Sequence, residues 1–552
     1  MGGVGAIYNS FVEESEQDLQ QAERTSVPIA LVLLLLVFGG VVAGLLPVLT
    51  GIATVTVAVA ALGAVARLHT VSVFSLNVTS VVGLGLGIDY SLLIVNRFRE
   101  ELRRGRDLQE AVAVTVGTAG VATVVSGGTV AIGFGALTLS RLNVLWSMGL
   151  GGAIVVLVSV LASLTLIPAL LAIFGRHVDR FALPIVRGGG GRFWHGLASR
   201  VMARPFLFIA LTLAAVLVLV APARILRPGV IGAESLPPGD QAAQATRIAE
   251  ERLGLPSRSP VLVVASGVGG LEQAAEVERR LRVAVQGQPV LGPLDVPASQ
   301  VPRFLRDGYA VFEVNQPGGD NDESTRRWLD RIRSTTWPQG VRVQLGGEAP
   351  AYQDFLNVLA GDVPVIFGTV LGLTLVLLAL AFRSVALPVK AVLMNLLSVG
   401  AAMGVLTWGF QEGHLSTLLD FRSVGFVDAT VPVIIFAALF GLSMDYEVFL
   451  LSRIREEWLA GRSNAAAVAF GMERTGRIIT SAALILVVVV STLAFSHLSL
   501  NKGFGVTFAV AILLDATVIR LLLVPAMMRV LGDVNWWPGR RRAGAGDRAA
   551  AA

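Results

Sequence analysis

Long apolar runs recur along this chain, and they limit its fold more strictly than any other feature of the sequence. Eleven runs are long enough to cross the hydrocarbon core of a bilayer, which is about 30 Å thick. They lie at roughly 27–45, 47–66, 77–96, 117–139, 146–173, 205–224, 363–382, 386–409, 430–452, 476–496 and 504–531. With 54% hydrophobic and 15% charged residues, the chain has more apolar surface than soluble domains of ordinary size can bury. The sequence therefore predicts an α-helical polytopic membrane protein, with a tight turn near Pro47 separating its first two helices.

Arginine is concentrated in loops that follow alternate apolar runs. These clusters occur at residues 97–106, 176–204, 453–462 and 540–542. Because positive residues are retained on the cytoplasmic side of a membrane, we expect these loops and the C-terminus to be cytoplasmic. Residues 1–26 and the long polar stretch 226–361 then lie outside the membrane. The adjacent Trp536 and Trp537 are expected at the inner interface, where aromatic residues act as anchors.

The composition argues against several kinds of site. The chain contains no cysteine, and its five histidines are scattered. It therefore lacks thiolate ligands and shows no spacing typical of a metal site. We expect no metal, no cofactor and no nucleic-acid partner.

The external stretch 226–361 has the pattern of an α/β module. Runs rich in β-forming residues at 260–265, 309–314 and 341–345 are interleaved with charged helical patterns at about 270–286 and 322–335. This alternation predicts a ferredoxin-like split βαβ arrangement. Residues 177–204, which include the run Gly188 to Gly191, are instead predicted to form a flexible cytoplasmic linker.

The two halves of the chain are copies of each other. Ten residues of the first half recur in the second with one constant offset: Gly85, Leu86, Asp89, Tyr90, Arg97, Arg99, Glu100, Glu101, Gly105 and Arg106 recur as Gly441, Leu442, Asp445, Tyr446, Arg453, Arg455, Glu456, Glu457, Gly461 and Arg462. A duplication of whole bundles is typical of transporters built around a pseudo-two-fold axis. The chain then divides into a first membrane half at 27–176, the linker at 177–204, the first helix of the second half at 205–225, the module at 226–361, five further helices at 362–532 and a cytoplasmic tail at 533–552.

A second duplication concerns the N-terminal residues. Gly2, Gly3, Tyr8 and Phe11 recur as Gly346, Gly347, Tyr352 and Phe355, which close the external module of the second half. Residues 1–26 are therefore predicted to be the remnant of a first external module. We expect an intact molecule to have twelve helices and two modules, and we expect the DNA immediately upstream to encode, in frame, one apolar helix and most of an α/β module.

Candidate functional residues lie in the repeated helix. Asp89 is eight residues before Arg97, which places it about 12 Å from the inner surface at 1.5 Å per residue; Asp445 stands at the same depth. A carboxylate there costs roughly 2.5–3.5 kcal/mol and normally faces a bundle interior or an aqueous pathway. Tyr90 and Tyr446 provide hydroxyls that exchange hydrogen bonds with a carboxylate. We therefore predict a proton site made of two Asp–Tyr pairs.

Gly85 and Gly441 lie one turn before these carboxylates, on the same helix face, and are expected to let a neighbouring helix approach closely. Two other interpretations remain. A single intramembrane Asp is sometimes only a structural hydrogen-bond hub, although its duplication at equal depth argues against this. Intramembrane aspartyl proteases also use two Asp, but their Gly-x-Gly-Asp signature is displaced by one residue here, and Gly87 is replaced by Ser443 in the second copy. The Arg and Glu run after each motif is interpreted as a solvated, positive-inside anchor.

The sequence from Gly441 to Trp458, GLSMDYEVFLLSRIREEW, resembles the signature of the MMPL-type (mycobacterial membrane protein large) transporters, a branch of the resistance-nodulation-division (RND) superfamily. The segment Asp533 to Pro538, DVNWWP, is also typical of that branch. The resemblance implies an RND-type bundle in the bacterial plasma membrane that exports lipids or other amphipathic compounds, with protons as the coupling ion and the Asp–Tyr pairs as the relay. It also implies that the protein is a secondary active transporter and not an enzyme.

The resemblance further suggests Ser126, Asp515 and Arg520 as supporting residues. Asp515 and Arg520 are five residues apart, which turns them about 140° from each other on an α-helix, so we expect neither to be the partner of the other. Arg520 is then expected to pair with other helices or to extend towards lipid headgroups. Ser126 has the alternative of bonding to its own helix backbone. Two alternative functions stay open: an RND relative with a drug-export or protein-export role, and a truncated product that is inactive alone.

Overall fold

The computed structural model of the protein describes residues 4–179, 190–232, 235–237, 239–253 and 260–538. The chain forms two compact units. The smaller contains the start of the first helix and most of residues 228–361, and the larger contains the membrane helices. Within the described residues, eleven helices are long and apolar enough to cross a membrane, as the sequence predicts.

The described residues of the larger unit up to residue 225 form helices joined by short loops. Its elements are α1 (Val4–Phe38), α2 (Val41–Ala66), α3 (Phe74–Arg103), α4 (Leu108–Leu137, with a π-helical turn at Val116–Gly120), α5 (Asn143–Phe174), α6 (Gly190–Ala203) and α7 (Pro205–Ile225). All of these except α6 are candidate membrane spans.

The smaller unit is a layer of helices on an antiparallel sheet. Its helices are α8 (Gln241–Leu253), α9 (Leu271–Ala284) and α10 (Glu323–Ser334), and its strands are β1 (Val261–Ser266), β2 (Val290–Leu291), β3 (Leu305–Arg306), β4 (Tyr309–Val314) and β5 (Arg342–Gly346). The strand order is β2–β4–β1–β5, with β3 also paired to β4. Helix α9 connects β1 to β2 with β4 between them, and α10 connects β4 to β5 with β1 between them. This order is that of a split βαβ motif.

The core of this unit follows from strand alternation and helix periodicity. Val261, Val263 and Ala265 on β1 are fully buried, as is Phe312 on β4, which is directly opposite Val263. The buried face of α10 contributes Trp328, Leu329 and Ile332 to the same cluster. The sheet therefore packs one face against the helices.

The remaining five membrane helices of the larger unit complete the second half. They are α11 (Glu348–Phe382), α12 (Ala386–Gln411), α13 (Thr430–Leu459), α14 (Asn464–Phe495) and α15 (Ser499–Trp536, with a π-helical segment at Asp515–Leu523). The glycines repeated after α3 and α13, Gly105 and Gly461, have φ values of 87° and 96°. Because such values are left-handed, glycine is favoured at both positions, and it ends the two repeated helices in the same way.

The expected turn near Pro47 is wrong. The turn between α1 and α2 lies at Gly39, where φ is 62°, and Pro47 is inside α2; glycine accepts this backbone conformation, whereas a membrane helix tolerates an internal proline. Residues 4–26 of the predicted N-terminal remnant belong to the continuous helix α1.

The predicted flexible linker contains the helix α6 at Gly190–Ala203. Its amphipathic spacing buries Ala198 and Val201, and Trp194 packs on Gly476 of α14, where a Cβ would lie 2.7 Å from the indole. Residues 180–189, including Gly188 and Gly189, lie outside the described residues, as do Gly2 and Gly3 and residues 539–552 of the tail. Of the two adjacent tryptophans, Trp536 is buried and stacks on Trp458 with the ring centroids 4.7 Å apart, whereas Trp537 is exposed.

Candidate functional site

The two repeated helices lie at the centre of the larger unit. In their most apolar stretches, 94% of the residues of α3 and 100% of those of α13 are buried, against 11% for α7. Asp89 and Tyr90 on α3 are 4% and 1% exposed, and Asp445 and Tyr446 on α13 are 5% and 4% exposed. The four side chains are therefore shielded from solvent and lipid by the surrounding helices.

The Asp–Tyr pairs are formed across the two halves and not within one helix. The Tyr90 hydroxyl donates to Asp445 Oδ2 at 3.0 Å, and the Tyr446 hydroxyl donates to Asp89 Oδ2. Each half thus supplies the acceptor of one bond and the donor of the other. This crossed arrangement places two carboxylates and two phenols in one buried cluster.

Glycines permit the close helix packing around this cluster. A Cβ on Gly441 would lie 2.5 Å from the Val130 Cα of α4, and a Cβ on Gly133 of α4 would lie 2.2 Å from the Ala437 carbonyl oxygen of α13. A Cβ on Gly85 would meet the side chain of Leu486 on α14 at 2.6 Å. Helices α4 and α13 therefore approach each other backbone to backbone beside the carboxylates.

Ser126 of α4 borders one of the two pairs. Its side chain is buried close to the Asp445 carboxylate and the Tyr90 hydroxyl. Among the described residues, neither Ser126 Oγ nor Asp445 Oδ1 has a hydrogen-bond partner. At the repeat offset of 356, which is 445 minus 89, the counterpart of Ser126 is Ala482, so the other pair has no such hydroxyl.

Arg520 borders the second pair, and here the expectation from the sequence is wrong. Arg520 Nε donates to Asp515 Oδ2 at 2.8 Å, and Nη2 also donates to this carboxylate. The two residues lie in the π-helical segment of α15, whose bonds run from i to i+5, so residues five apart stand one above the other. The α-helical angle used for the prediction therefore does not apply.

The guanidinium of Arg520 also reaches α13. Nη2 donates to the Ser443 carbonyl oxygen and lies 3.3 Å from Ser443 Oγ. Its Cζ lies 4.9 Å from the centroid of the Tyr446 ring. Arg520 thus places a positive charge beside the Tyr446–Asp89 pair, and its charge also acts on Asp445.

A second buried charged pair was missed in the sequence. Lys390 of α12 is 4% exposed and Glu447 of α13 is 6% exposed, and each is the principal charged group acting on the other. Lys390 Nζ has no hydrogen-bond partner among the described residues. A lone Lys inside an apolar run was the signal that could have identified this pair. The first-half counterpart of Glu447 is Ser91, which bonds to the Gly87 carbonyl oxygen at 2.5 Å.

The charged run after each Asp–Tyr motif is only partly solvated, contrary to the interpretation from sequence. The Glu101 side chain is 0% exposed and accepts ion pairs from Arg97, Arg104 and Arg106. The corresponding Glu457 is 10% exposed and pairs with Arg462 and Arg474. These buried carboxylates bind the end of each central helix to the residues that follow it. In the described part of the chain, no group of His, Cys, Asp and Glu could hold a metal ion.

Eleven helices long and apolar enough to cross a membrane, packed around two crossed, duplicated Asp–Tyr pairs, define an integral, multi-pass membrane protein. The sequence matches the MMPL family over residues 1–208 and 306–548. Together with the relatives below, this match shows that the chain belongs to the MMPL family.

The relatives are mycobacterial proteins. The chain is 36% identical over 97% of its length to the mycolic acid-containing lipids exporter MmpL11 of Mycolicibacterium smegmatis, of which it covers 57%. It is 34% identical over 98% of its length to the trehalose monomycolate exporter MmpL3 of Mycobacterium tuberculosis, of which it covers 61%. A further relative from M. tuberculosis, 34% identical over 97% of this chain and covered to 56%, is named heme uptake protein MmpL11. The chain thus spans less than two thirds of these relatives.

Among solved structures, SecDF from Thermus, a translocon-associated membrane protein, has the same fold. Its TM-score is 0.56 at 18% identity, over 93% of this chain and 62% of that chain. A second SecDF structure, in a super-membrane-facing form, gives a TM-score of 0.55 at 19% identity over 97% of this chain and 64% of the other. At this identity the likeness concerns the fold alone.

Proposed function

We propose that this protein is a secondary transporter that uses the proton gradient to export lipids or other amphipathic compounds from a bacterial plasma membrane. The observation that carries the proposal is the pair of crossed hydrogen bonds between Asp and Tyr of opposite halves. Each bond joins helices α3 and α13, so a change in the charge of either carboxylate acts directly on the contact between the two halves.

The proton chemistry follows from the hydrogen-bonding capacity of the groups. An ionised carboxylate only accepts hydrogen bonds, so the phenol must donate to it. A protonated carboxylic acid also donates, and a phenol accepts, so the two groups then exchange roles or separate. Burial disfavours a charged carboxylate without a strong donor, so uptake of a proton and loss of the crossed bond are linked. Proton binding therefore changes the packing of α3 against α13.

The surroundings of the two pairs differ. Asp445 has Ser126 beside it and a free Oδ1, a place where a proton or a water molecule is received. Asp89 is bound by Tyr446, whose ring lies under the Arg520 cation.

The substrate class is inferred from the relatives and from the predicted membrane topology. Two of the relatives are named exporters of mycolic acid-containing lipids and of trehalose monomycolate. With residues 226–361 outside the membrane and the C-terminus in the cytoplasm, the α/β unit would receive a lipid on the external side. We propose no cofactor other than the coupling proton.

The test is proton uptake by the purified chain in vesicles of phosphatidylethanolamine and phosphatidylglycerol with entrapped pyranine. After an imposed pH gradient, Asp89→Asn and Asp445→Asn should each reduce uptake to the level of protein-free vesicles, because an amide does not cycle a proton. The matched control is Asp307→Asn. Asp307 is 80% exposed in a turn with a φ of 52°, which Asn accepts readily.

The substrate class is tested in the same vesicles with a dye-labelled trehalose monoester. Its transfer should require both Asp89 and Asp445 and should be unaffected by Asp307→Asn. Uptake of protons that persists in either relay variant would refute the relay. Proton uptake without transfer of the ester would instead retain the relay and exclude this substrate class.

A further inference from the structure

A buried carboxylate outside the relay joins α1 to the start of α15. The Asp18 side chain is 0% exposed. Its Oδ1 accepts from the His497 backbone N at 2.5 Å and lies 2.9 Å from His497 Nδ1. Its Oδ2 accepts from the Leu498 backbone N at 3.2 Å and from Asn501 Nδ2 at 2.9 Å. We call Asp18 with His497, Leu498 and Asn501 the Asp18 joint.

A second buried carboxylate makes the equivalent connection between α11 and the start of α5. Asp362 Oδ2 accepts from Ser140 Oγ and from the Arg141 backbone N, both at 2.9 Å, and Oδ1 accepts from Arg141 Nε at 2.8 Å. The Asp362 side chain is 8% exposed. We call Asp362 with Ser140 and Arg141 the Asp362 joint.

The two joints are related by the internal duplication. Asp362 follows Asp18 by 344 residues (362 minus 18), the same offset that separates Tyr8 from Tyr352. The donors His497 and Arg141 differ by 356 residues (497 minus 141), which is the offset of the Asp–Tyr motifs. A surface contact formed by chance would not obey both offsets. The two joints therefore occupy corresponding positions in the duplicated sequence, although the side chain of Arg141 contributes to one and that of His497 to the other.

Each joint crosses from one half of the chain to the other. Asp18 lies on α1 of the first half and holds the last helix of the second half, and Asp362 lies on α11 of the second half and holds the last helix of the first half. Helix α11 begins at Glu348, two residues after strand β5 ends, so it continues directly from the α/β unit. The held helix α15 carries Asp515 and Arg520, which contact Ser443 and the Tyr446 ring. A path through α15 thus leads from the relay to Asp18 on α1, and the Asp362 joint is the duplicated counterpart of this connection.

We propose that the Asp18 and Asp362 joints are rigid couplings through which the charge state of the relay is transmitted to α1 and α11. Each carboxylate binds three or four donors and is buried, so the joint moves as one body with the helix start that it holds. The bodies that move during a transport cycle are then mixed sets drawn from both halves: α1 with α15, and α11 with α5. Asp18 and Asp362 act as positioning residues and take no proton in this scheme.

Hydrogen exchange of the purified chain in lipid nanodiscs tests the proposal. In the parent chain, Asp445→Asn should change the exchange of the amides at 9–25 in α1 and at 362–375 in α11 by a factor of about three or more. When Asp18→Ala is added, the response of α1 should disappear while that of α11 remains. When Asp362→Ala is added instead, the response of α11 should disappear while that of α1 remains. If Asp18 or Asp362 only capped a helix, its replacement would change the amide exchange rate of that helix. Asp445→Asn would still alter this rate in the variant.

Two further variants keep the outcome decisive. Asp18→Ser retains a hydroxyl that caps a helix but does not hold several donors at once, and it should behave as Asp18→Ala if the latter folds poorly. Because the chain contains no cysteine, Asp18→Cys with Asn501→Cys can be bridged by a bifunctional thiol reagent, which should restore the response of α1. The control Glu16→Gln removes one charge from the exposed face of the same helix and should change nothing.

The proposal rests on the proposed function only in taking Asp445 as a relay carboxylate. Proton uptake measured on the same preparations checks that assumption separately, so the two failures are distinguishable. The joints are refuted if α1 still responds to Asp445→Asn in the Asp18→Ala and Asp18→Ser variants. They are equally refuted if neither helix responds in the parent chain, or if bridging residues 18 and 501 leaves α1 unresponsive.

Discussion

Removal of the Arg520 guanidinium should destabilise the membrane unit strongly. The side chains of Arg520 and Asp515 are 2% and 9% exposed, and Nε lies 2.8 Å from Asp515 Oδ2. Arg520→Met leaves Asp515 as a buried carboxylate without its cation, and breaking a buried pair in this way costs about 3–5 kcal/mol. Asp515→Leu leaves the Arg520 cation unpaired and should cost a similar amount.

The double variant Asp515→Leu/Arg520→Met should be more stable than either single variant. Both charges are then replaced by apolar side chains of similar size, a change that is often neutral or stabilising for a buried pair. The measurement is thermal unfolding in detergent, followed by tryptophan fluorescence, on all four members of the cycle. Arg529→Met is the control, because Arg529 lies on the same helix but is exposed, and such a change stays within about 0.5 kcal/mol.

The result that would refute this reasoning is additivity. If the loss in the double variant equals the sum of the two single losses, Asp515 and Arg520 do not form the pair that the π-helical segment produces. The α-helical geometry, in which they point about 140° apart, would then be the better description of this stretch.

Two further predictions concern the crossed pairs. Gly441→Ala should destabilise the protein by roughly 1–3 kcal/mol, because its Cβ would lie 2.5 Å from a backbone atom of α4. The control is Gly368→Ala, whose Cβ would meet nothing within 4 Å. In the same thermal unfolding assay this control should leave the stability unchanged or raise it by up to about 1 kcal/mol. Tyr446→Phe should reduce proton uptake more than Tyr90→Phe, because the carboxylate that loses Tyr90 keeps Ser126 beside it. Equal effects of the two tyrosine variants would contradict the asymmetry.

The membrane helices were predictable because one physical signal dominates them. An apolar run of about 20 residues has few alternatives to a membrane helix, and ten of the eleven runs contain the centre of an observed span. The three longer strands were also predicted to within one residue, since alternation of buried and exposed positions is strong at 261–266 and 309–314. Their order in the sheet follows from the two crossover helices.

Elements with weak periodicity were missed. The strands at Val290–Leu291 and Leu305–Arg306 are two residues long, too short for any alternation to be visible. Helix α8 at Gln241–Leu253 has few apolar residues. In the linker, a run of glycines next to scattered arginines concealed the amphipathic helix at Gly190–Ala203, whose apolar face is recognisable only once α14 is present to cover it.

At the candidate site, the duplication identified Asp89, Tyr90, Asp445 and Tyr446 as a group, since the same residues recur at the same depth in both halves. The pairing itself could not be read from the sequence, because adjacent residues on one helix give no indication of which half supplies each partner. The Asp515–Arg520 pair depends on a π-helical segment, which no residue pattern in the sequence predicts. Lys390, by contrast, was visible as an isolated charge in an apolar run.

The departures from symmetry matter more to the mechanism than the symmetry itself. Two carboxylates in identical surroundings would share protons without preference, and their titration would belong to the pair as a whole. Here the duplicated frame holds Asp89 and Asp445 at equivalent positions, while Ser126 lies beside one pair and the Arg520 cation beside the other. The buried Lys390 and Glu447 also act on each other in the second half, where the first-half counterpart of Glu447 is Ser91. A fold that arose by duplication therefore places its two Asp–Tyr pairs in different surroundings through single-residue differences at these positions.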